Sequence, residues 1–283
     1  MSDFYKYHGL GNDYLVIDPT KLNIRLNAES VKLICHRNYG VGSDGVLYGP
    51  FDGDEGSIRV RIFNPDGSEA EKSGNGLRIF SRYLVEAGYV TSQDFEIETG
   101  GGRVSVHLDS SDGSVSTVGM GTLSFDSEDI PVKGPKREVL LEPLEVNSKV
   151  IKICAVSIGN PHCVVIRESI DRRLAMELGP TIEKHSLFPH KTNVQFMKIL
   201  NRQNIQIEIW ERGAGYTLAS GSSSCAAAGV AYKLGYCDGK IRAHMPGGIL
   251  DVSISADFSV KMRGEVSAVF EGSFAAELRS QLQ

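Results

Sequence analysis

A chain of 283 residues with 41% hydrophobic and 23% charged side chains can bury a large core, as one domain or two of about 140 residues, and its composition excludes disorder. A net charge of −5 without any Lys/Arg block leaves no electrostatic footprint for nucleic acid. No apolar run approaches about 18 residues and the N-terminus lacks the apolar core of a signal peptide, so no membrane association and a cytoplasmic setting are expected. The first elements are strands, Phe4 to Tyr7 and Leu15 to Asp18, flanking Gly9-Leu10-Gly11-Asn12-Asp13-Tyr14. Asn27 is placed as the N-cap of a helix carrying Val31, Leu33, Ile34 and Cys35. Gly40-Val41-Gly42-Ser43-Asp44-Gly45 is a glycine loop before a strand at Val46 to Tyr48. It is not a dinucleotide fingerprint, because the third glycine is misplaced and no helix pattern follows.

Ser57 to Phe63 alternates apolar and polar residues as a half-buried strand, and Asn64-Pro65-Asp66-Gly67-Ser68 is a turn. Ser73-Gly74-Asn75-Gly76 then opens a helix over about Gly74 to Ala87, with Leu77, Phe80 and Leu84 on one face. Strands follow at Phe95 to Glu98 and Val104 to Val106. Residues 126–149 are charged, with Pro131, Pro135 and Pro143. Further strands are expected at Val150 to Ile153, Val156 to Ile158 and Val164 to Ile166, and a helix near Arg172 to Leu178 stopped by Gly179-Pro180. Thr192 to Phe196 and Ile205 to Ile209 read as strands, Trp210-Glu211-Arg212-Gly213 leads to a second helix opened by Ser220-Gly221-Ser222-Ser223, and Leu250 to Phe274 is strand-rich.

The two helix-opening turns sit in matching surroundings. Asn64 precedes Ser73 by nine residues, as Glu211 precedes Ser220, and both pairs are offset by 147 residues. Gly88-Tyr89 and Gly235-Tyr236 close the helices at the same offset, and Gly11-Asn12-Asp13 answers Gly159-Asn160-Pro161 at 148. This pattern reads as a duplication. The fold expected is α+β: two pseudo-symmetric lobes, each a curved, mostly antiparallel, barrel-like sheet around a central helix, with the active site in the cleft between them. The N-terminal lobe is set at residues 1–124 plus 272–283 and the C-terminal lobe at 125–271. Each helix N-terminus offers unpaired N–H groups suited to a carboxylate or phosphate. The five cysteines, Cys35, Cys154, Cys163, Cys225 and Cys237, are odd in number and lack CxxC spacing. Neither a disulfide framework nor a structural zinc site is indicated, and each is expected as a small buried hydrophobe.

In family order along nearly the whole chain, Gly11-Asn12-Asp13, Gly42-Ser43-Asp44-Gly45, Asn64-Pro65-Asp66-Gly67-Ser68, Ser73-Gly74-Asn75-Gly76 with Arg78, Gly159-Asn160-Pro161-His162, Thr192-Asn193-Val194 and Glu211-Arg212-Gly213 through Ser220-Gly221 resemble the diaminopimelate epimerase family. The resemblance implies a cofactor-independent, metal-free isomerase of two similar lobes that interconverts L,L- and meso-diaminopimelate on the route to lysine and peptidoglycan. Its partner is a small amino-acid substrate, and relatives are often homodimers. It implies proton carriers at positions 73 and 220, His162 paired with the first and Glu211 with the second. Asn12, Asn64, Asn160, Asn193, Glu211 and Arg212 hold the substrate's distal amino and carboxylate groups, and the turns at Gly74, Asn75, Gly221 and Ser222 face the charge developing beside the reacting carbon. Two departures stand out: the family uses cysteine where this chain has Ser73 and Ser220, and many relatives carry Glu where it has Tyr216. A hydroxyl lies about seven pK units above a thiol. The alternatives are therefore a racemase or proton-transfer enzyme for another amino acid, or a weak or inactive amino-acid-binding relative.

Overall fold

The chain opens with a tight antiparallel hairpin, β1 (Phe4–Gly9) on β2 (Asn12–Ile17), in which Tyr7 faces Tyr14. A computed structural model describes residues 2–282 other than 23 and 25. Helix α1 (Ala28–Cys35) starts at Asn27 through a reciprocal capping box with Ser30, as its sequence predicts. It carries the chain to β3 (Val46–Asp52), which runs parallel to β2. Strand β4 (Ile58–Phe63) pairs antiparallel to β3, and the two-residue β5 (Glu69–Ala70) folds back on β4. Helix α2 (Gly74–Glu86) follows, then β6 (Asp94–Thr99), parallel to β4, then β7 (Gly102–Leu108) and β8 (Val115–Thr122).

The same order then repeats. Strands β9 (Glu142–Val146) and β10 (Lys149–Ser157) form a hairpin, and β11 (Pro161–Ile166) returns on β10. Helix α3 (Arg172–Glu183) leads to β12 (Asn193–Asn201), parallel to β11, and β13 (Asn204–Glu211) pairs antiparallel to β12 with the short β14 (Gly215–Thr217) on it. Helix α4 (Gly221–Lys233) precedes β15 (Lys240–Met245), parallel to β13, and β16 (Gly248–Ile254). Strands β17 (Ser259–Glu265) and β18 (Ser267–Gly272) and the C-terminal α5 (Ala276–Gln281) finish the chain.

Two compact units result, residues 1–119 with 263–283, and residues 120–262. In the first, β18 pairs with β1 and the Val266 amide donates to the Ser114 carbonyl, which closes the sheet into a ring. In the second, Leu123 bonds Phe258, and Ser124 and Ser157 exchange backbone hydrogen bonds. The sequence places the lobe boundaries at 124/125 and 271/272; the compact units divide inside β8 and β17, strands that carry no Gly/Pro turn at the division.

In each unit the parallel pair is covered on both faces. Leu15, Ile17, Val46 and Tyr48 pack with Val31 and Ile34 of α1, while Val165, Val194 and Phe196 pack with Ala175 and Ile182 of α3. Helices α2 and α4 take the opposite face, packing against β1–β3 and against β10–β13, β15 and β16 respectively. Burial on one face of α2 was expected. It is instead buried nearly all round from Gly74 to Leu84, as a helix enclosed by a curved sheet must be. The Cys225-Ala226-Ala227-Ala228 run of α4 is fully buried, its small side chains letting six strands approach, and all five cysteines are buried thiols. Among the described residues no helix is long and apolar enough to cross a membrane.

Two sequence expectations are corrected. Helix α3 does not stop at Gly179-Pro180 but continues to Glu183. Gly179 serves close packing: a Cβ there would sit 2.6 Å from Cβ of Trp210. Residues 161–163, read as a crossing before a strand, already belong to β11.

Candidate active site

Helices α2 and α4 are each 13 residues long, start 147 residues apart and end alike. Their caps, Ser73 (φ −140°, ψ 115°) and Ser220 (φ −149°, ψ 127°), have nearly the same backbone. Ser73 Oγ accepts from the Gly76 amide at 3.0 Å, and Ser220 Oγ accepts from the Ser223 amide at 3.4 Å. At the other end, Gly88 (φ 77°) and Gly235 (φ 73°) take the left-handed conformation that ends a helix with little strain. Helix geometry gives the amides of residues 74, 75, 221 and 222 no intrahelical acceptor, so each N-terminus presents a small positive field.

In the first unit a polar relay surrounds the half-buried Ser73. Its Oγ lies 3.1 Å from the Tyr14 hydroxyl. The Asn12 amide donates to Asp44 Oδ2 and accepts from Asn75 Nδ2, both at 3.0 Å, and Asn75 Oδ1 accepts from the buried Arg78 at 2.7 Å. The structure thus joins Asn12 to Asn75. Asn64 is engaged in its own turn, donating to Ser68 Oγ at 3.0 Å.

In the second unit His162 is fully buried, and burial holds its pKa down at about 3, with the Arg212 charge adding to the effect. Its Nδ1 lies 3.0 Å from Gln195 Nε2 and its Nε2 lies 2.9 Å from Asn160 Oδ1. An amide N–H can only donate, so Nδ1 accepts and the proton sits on Nε2: a neutral imidazole with both nitrogens occupied. Asn193 donates to the Pro161 carbonyl at 3.0 Å and accepts from the Arg212 backbone amide at 2.9 Å, which ties the β11 entry to the turn after β13. The exposed Arg212 guanidinium donates to the His190 carbonyl at 3.1 Å, and Thr217 Oγ1 donates to Glu211 Oε2 at 3.2 Å. Ser220 is buried, with Gly221 behind it and Ser222 partly exposed.

Several participants were not singled out from sequence. Tyr14 touches Ser73, and Asp44 holds Asn12. Gln195 and Ser223 connect His162 to α4, Gln195 Nε2 donating to Ser223 Oγ at 2.9 Å. Buried Glu183 accepts from Trp210 Nε1 at 2.8 Å and from the Gly213 amide at 3.3 Å, fixing the turn that carries Glu211 and Arg212. A signal existed for Gln195: it lies two residues after Asn193, hence on the same face of β12, as a polar residue in an apolar strand. Tyr216 donates to Glu208 at 2.7 Å, and burial together with that carboxylate pushes its phenol up to about 12.

An α+β fold of two topologically repeated halves is shared with the solved structure of a probable proline racemase from Agrobacterium radiobacter. It matches with a TM-score of 0.72 over 98% of this chain and 93% of that one, at 14% identity. The sequence places the chain more narrowly. The family model described as diaminopimelate epimerase matches residues 4–125 and 154–269. A protein named diaminopimelate epimerase 2 from Nostoc sp. is 54% identical over 97% of this chain and 96% of its own length, and a diaminopimelate epimerase from Moorella thermoacetica is 38% identical over 96% and 98%. The chain belongs to the diaminopimelate epimerase family.

Proposed function

We infer that this chain is an amino-acid epimerase that interconverts L,L- and meso-diaminopimelate in lysine biosynthesis by moving one α-proton without a cofactor. The observation that carries this reading is family membership along nearly the whole chain, with 54% identity to the Nostoc relative. A cytoplasmic setting and a small amino-acid substrate as partner belong to the same proposal.

Inversion at carbon requires a base to remove the proton on one side and an acid to return one on the other. We assign those parts to Ser73 and Ser220, with His162 and Glu211 as their partners. The electron pair left at the α-carbon spreads into the adjacent carboxylate as an enediolate. The amides at Gly74, Asn75, Gly221 and Ser222 answer that charge, since helix N-termini favour anions. Asn12, Asn64, Asn160, Asn193, Glu211 and Arg212 are assigned to the distal ammonium and carboxylate. The relay through Asn75 and Asp44 supports Asn12 in that part, and the bonds to Pro161 and Arg212 support Asn193.

The energetic demand falls on the hydroxyls. About seven pK units between a thiol and a hydroxyl correspond to about 10 kcal/mol, part of which is recovered because the stronger base pulls harder. Slow conversion of L,L-diaminopimelate to the meso isomer by this chain is therefore expected. Ser73→Cys/Ser220→Cys should raise kcat by at least about 100-fold. Chiral separation of the product measures both. No meso isomer from either protein, at enzyme concentrations comparable to substrate, would contradict it.

A further inference from the structure

We propose that Gln195 is a positioning residue that sets where His162 carries its proton, its side-chain amide acting as a two-position switch between the imidazole and the first turn of α4. The proposal rests on the reading above insofar as it gives His162 a part in proton transfer. Its structural half stands on the second unit alone.

A continuous hydrogen-bonded chain runs from the half-buried Asn160 through the buried His162 and Gln195 to Ser223, whose backbone amide donates to Ser220 Oγ. His162, Gln195 and Ser223 are each 0% exposed. Gln195 directs Nε2 at both His162 Nδ1 and Ser223 Oγ, while its Oε1 is buried with no hydrogen-bond partner among the described residues. An unmet buried acceptor costs about 1–3 kcal/mol, so this orientation keeps its better acceptor idle. Turning the amide by 180° exchanges the two atoms. Oε1 then faces Nδ1 and the Ser223 hydroxyl, and both of those groups can donate to it.

The consequence is chemical. In the present orientation an N–H fills Nδ1, and a second proton on the ring would meet a donor. In the turned orientation Nδ1–H has an acceptor in Gln195 and Nε2–H keeps Asn160 Oδ1, so the ring can be doubly protonated without an unpaired ring N–H, while the Gln195 amide N–H groups move to the place Oε1 leaves. Around the ring, β10 contributes Val156, β12 contributes Asn193 and Gln195, and α4 contributes Ser223. The charged group acting on the ring is Arg212, which opposes protonation.

The test is two-bond proton–nitrogen NMR on the full chain labelled with nitrogen-15 histidine, the His162 signals being assigned by their loss in His162→Gln. The natural sequence is expected to show a bare Nδ1 and a protonated Nε2 at pH 7. Gln195→Glu, the same shape with acceptors only, is expected to protonate Nδ1 at that pH and, where turnover is measured, to move the acidic limb of the kcat profile up by about one to two pH units, as an adjacent carboxylate does. A residue that only fills space would lower kcat evenly across pH. Protonated Nδ1 in the natural sequence overturns the proposal without any variant, and so does an unprotonated Nδ1 in a folded Gln195→Glu protein. The NMR readout does not require turnover, so failure of the epimerase reading remains separate.

Discussion

His162 shows how a single environment decides a residue's chemistry. Free histidine titrates near 6.5; burial lowers His162 to about 3. The unfolded state therefore binds more protons between those values, and stability is present above about pH 6.5 and lost progressively below it. Urea midpoints should fall from pH 6.5 to 5, and His162→Gln should flatten that slope; an equally steep slope in the variant would show that other groups set it. At the caps, Ser73 Oγ holds the Gly76 amide at 3.0 Å. Ser73→Ala should cost about 1 kcal/mol in chemical denaturation, as loss of an N-cap does. The serine positions and their glycine neighbours were legible because a small turn before an apolar helical run has a distinctive composition. Tyr14 was not, because it lies on β2, far from the α2 cap in sequence, and nothing local to either stretch announces the 3.1 Å contact.

Among the elements, α2 and α4 were legible from caps, closing glycines and spacing, whereas α3 was misread at its end. Gly179-Pro180 looks like a stop. The proline is accommodated, and the glycine admits Trp210. Gly179→Ala should destabilise the protein by about 1–3 kcal/mol through overpacking. Trp210 is the only tryptophan of the chain, so its fluorescence reports the change directly; unchanged emission and stability would refute the close-packing account. Glu183, on the last turn of the same helix, holds the indole and the Gly213 amide. Its role was hidden because the helix expected from sequence ends near Leu178, before Glu183. Strand β9 was likewise hidden, inside a charged segment with three prolines.

At the scale of the whole molecule, the duplication seen as a 147-residue offset is reproduced as two units with the same sequence of hairpins, parallel steps and central helix. The repeat was readable because turns and helix ends recur at fixed positions. The unit boundaries were not, because β8 and β17 run through them. We propose that Ser73 and Ser220 are the two proton carriers for inversion at the α-carbon. Incubation with L,L-diaminopimelate in deuterated water tests it most directly. The expected result is meso product bearing deuterium at the inverted α-carbon, while substrate recovered at early times retains its α-protium. Deuterium entering with retained configuration, or product inverted without deuterium, would contradict it.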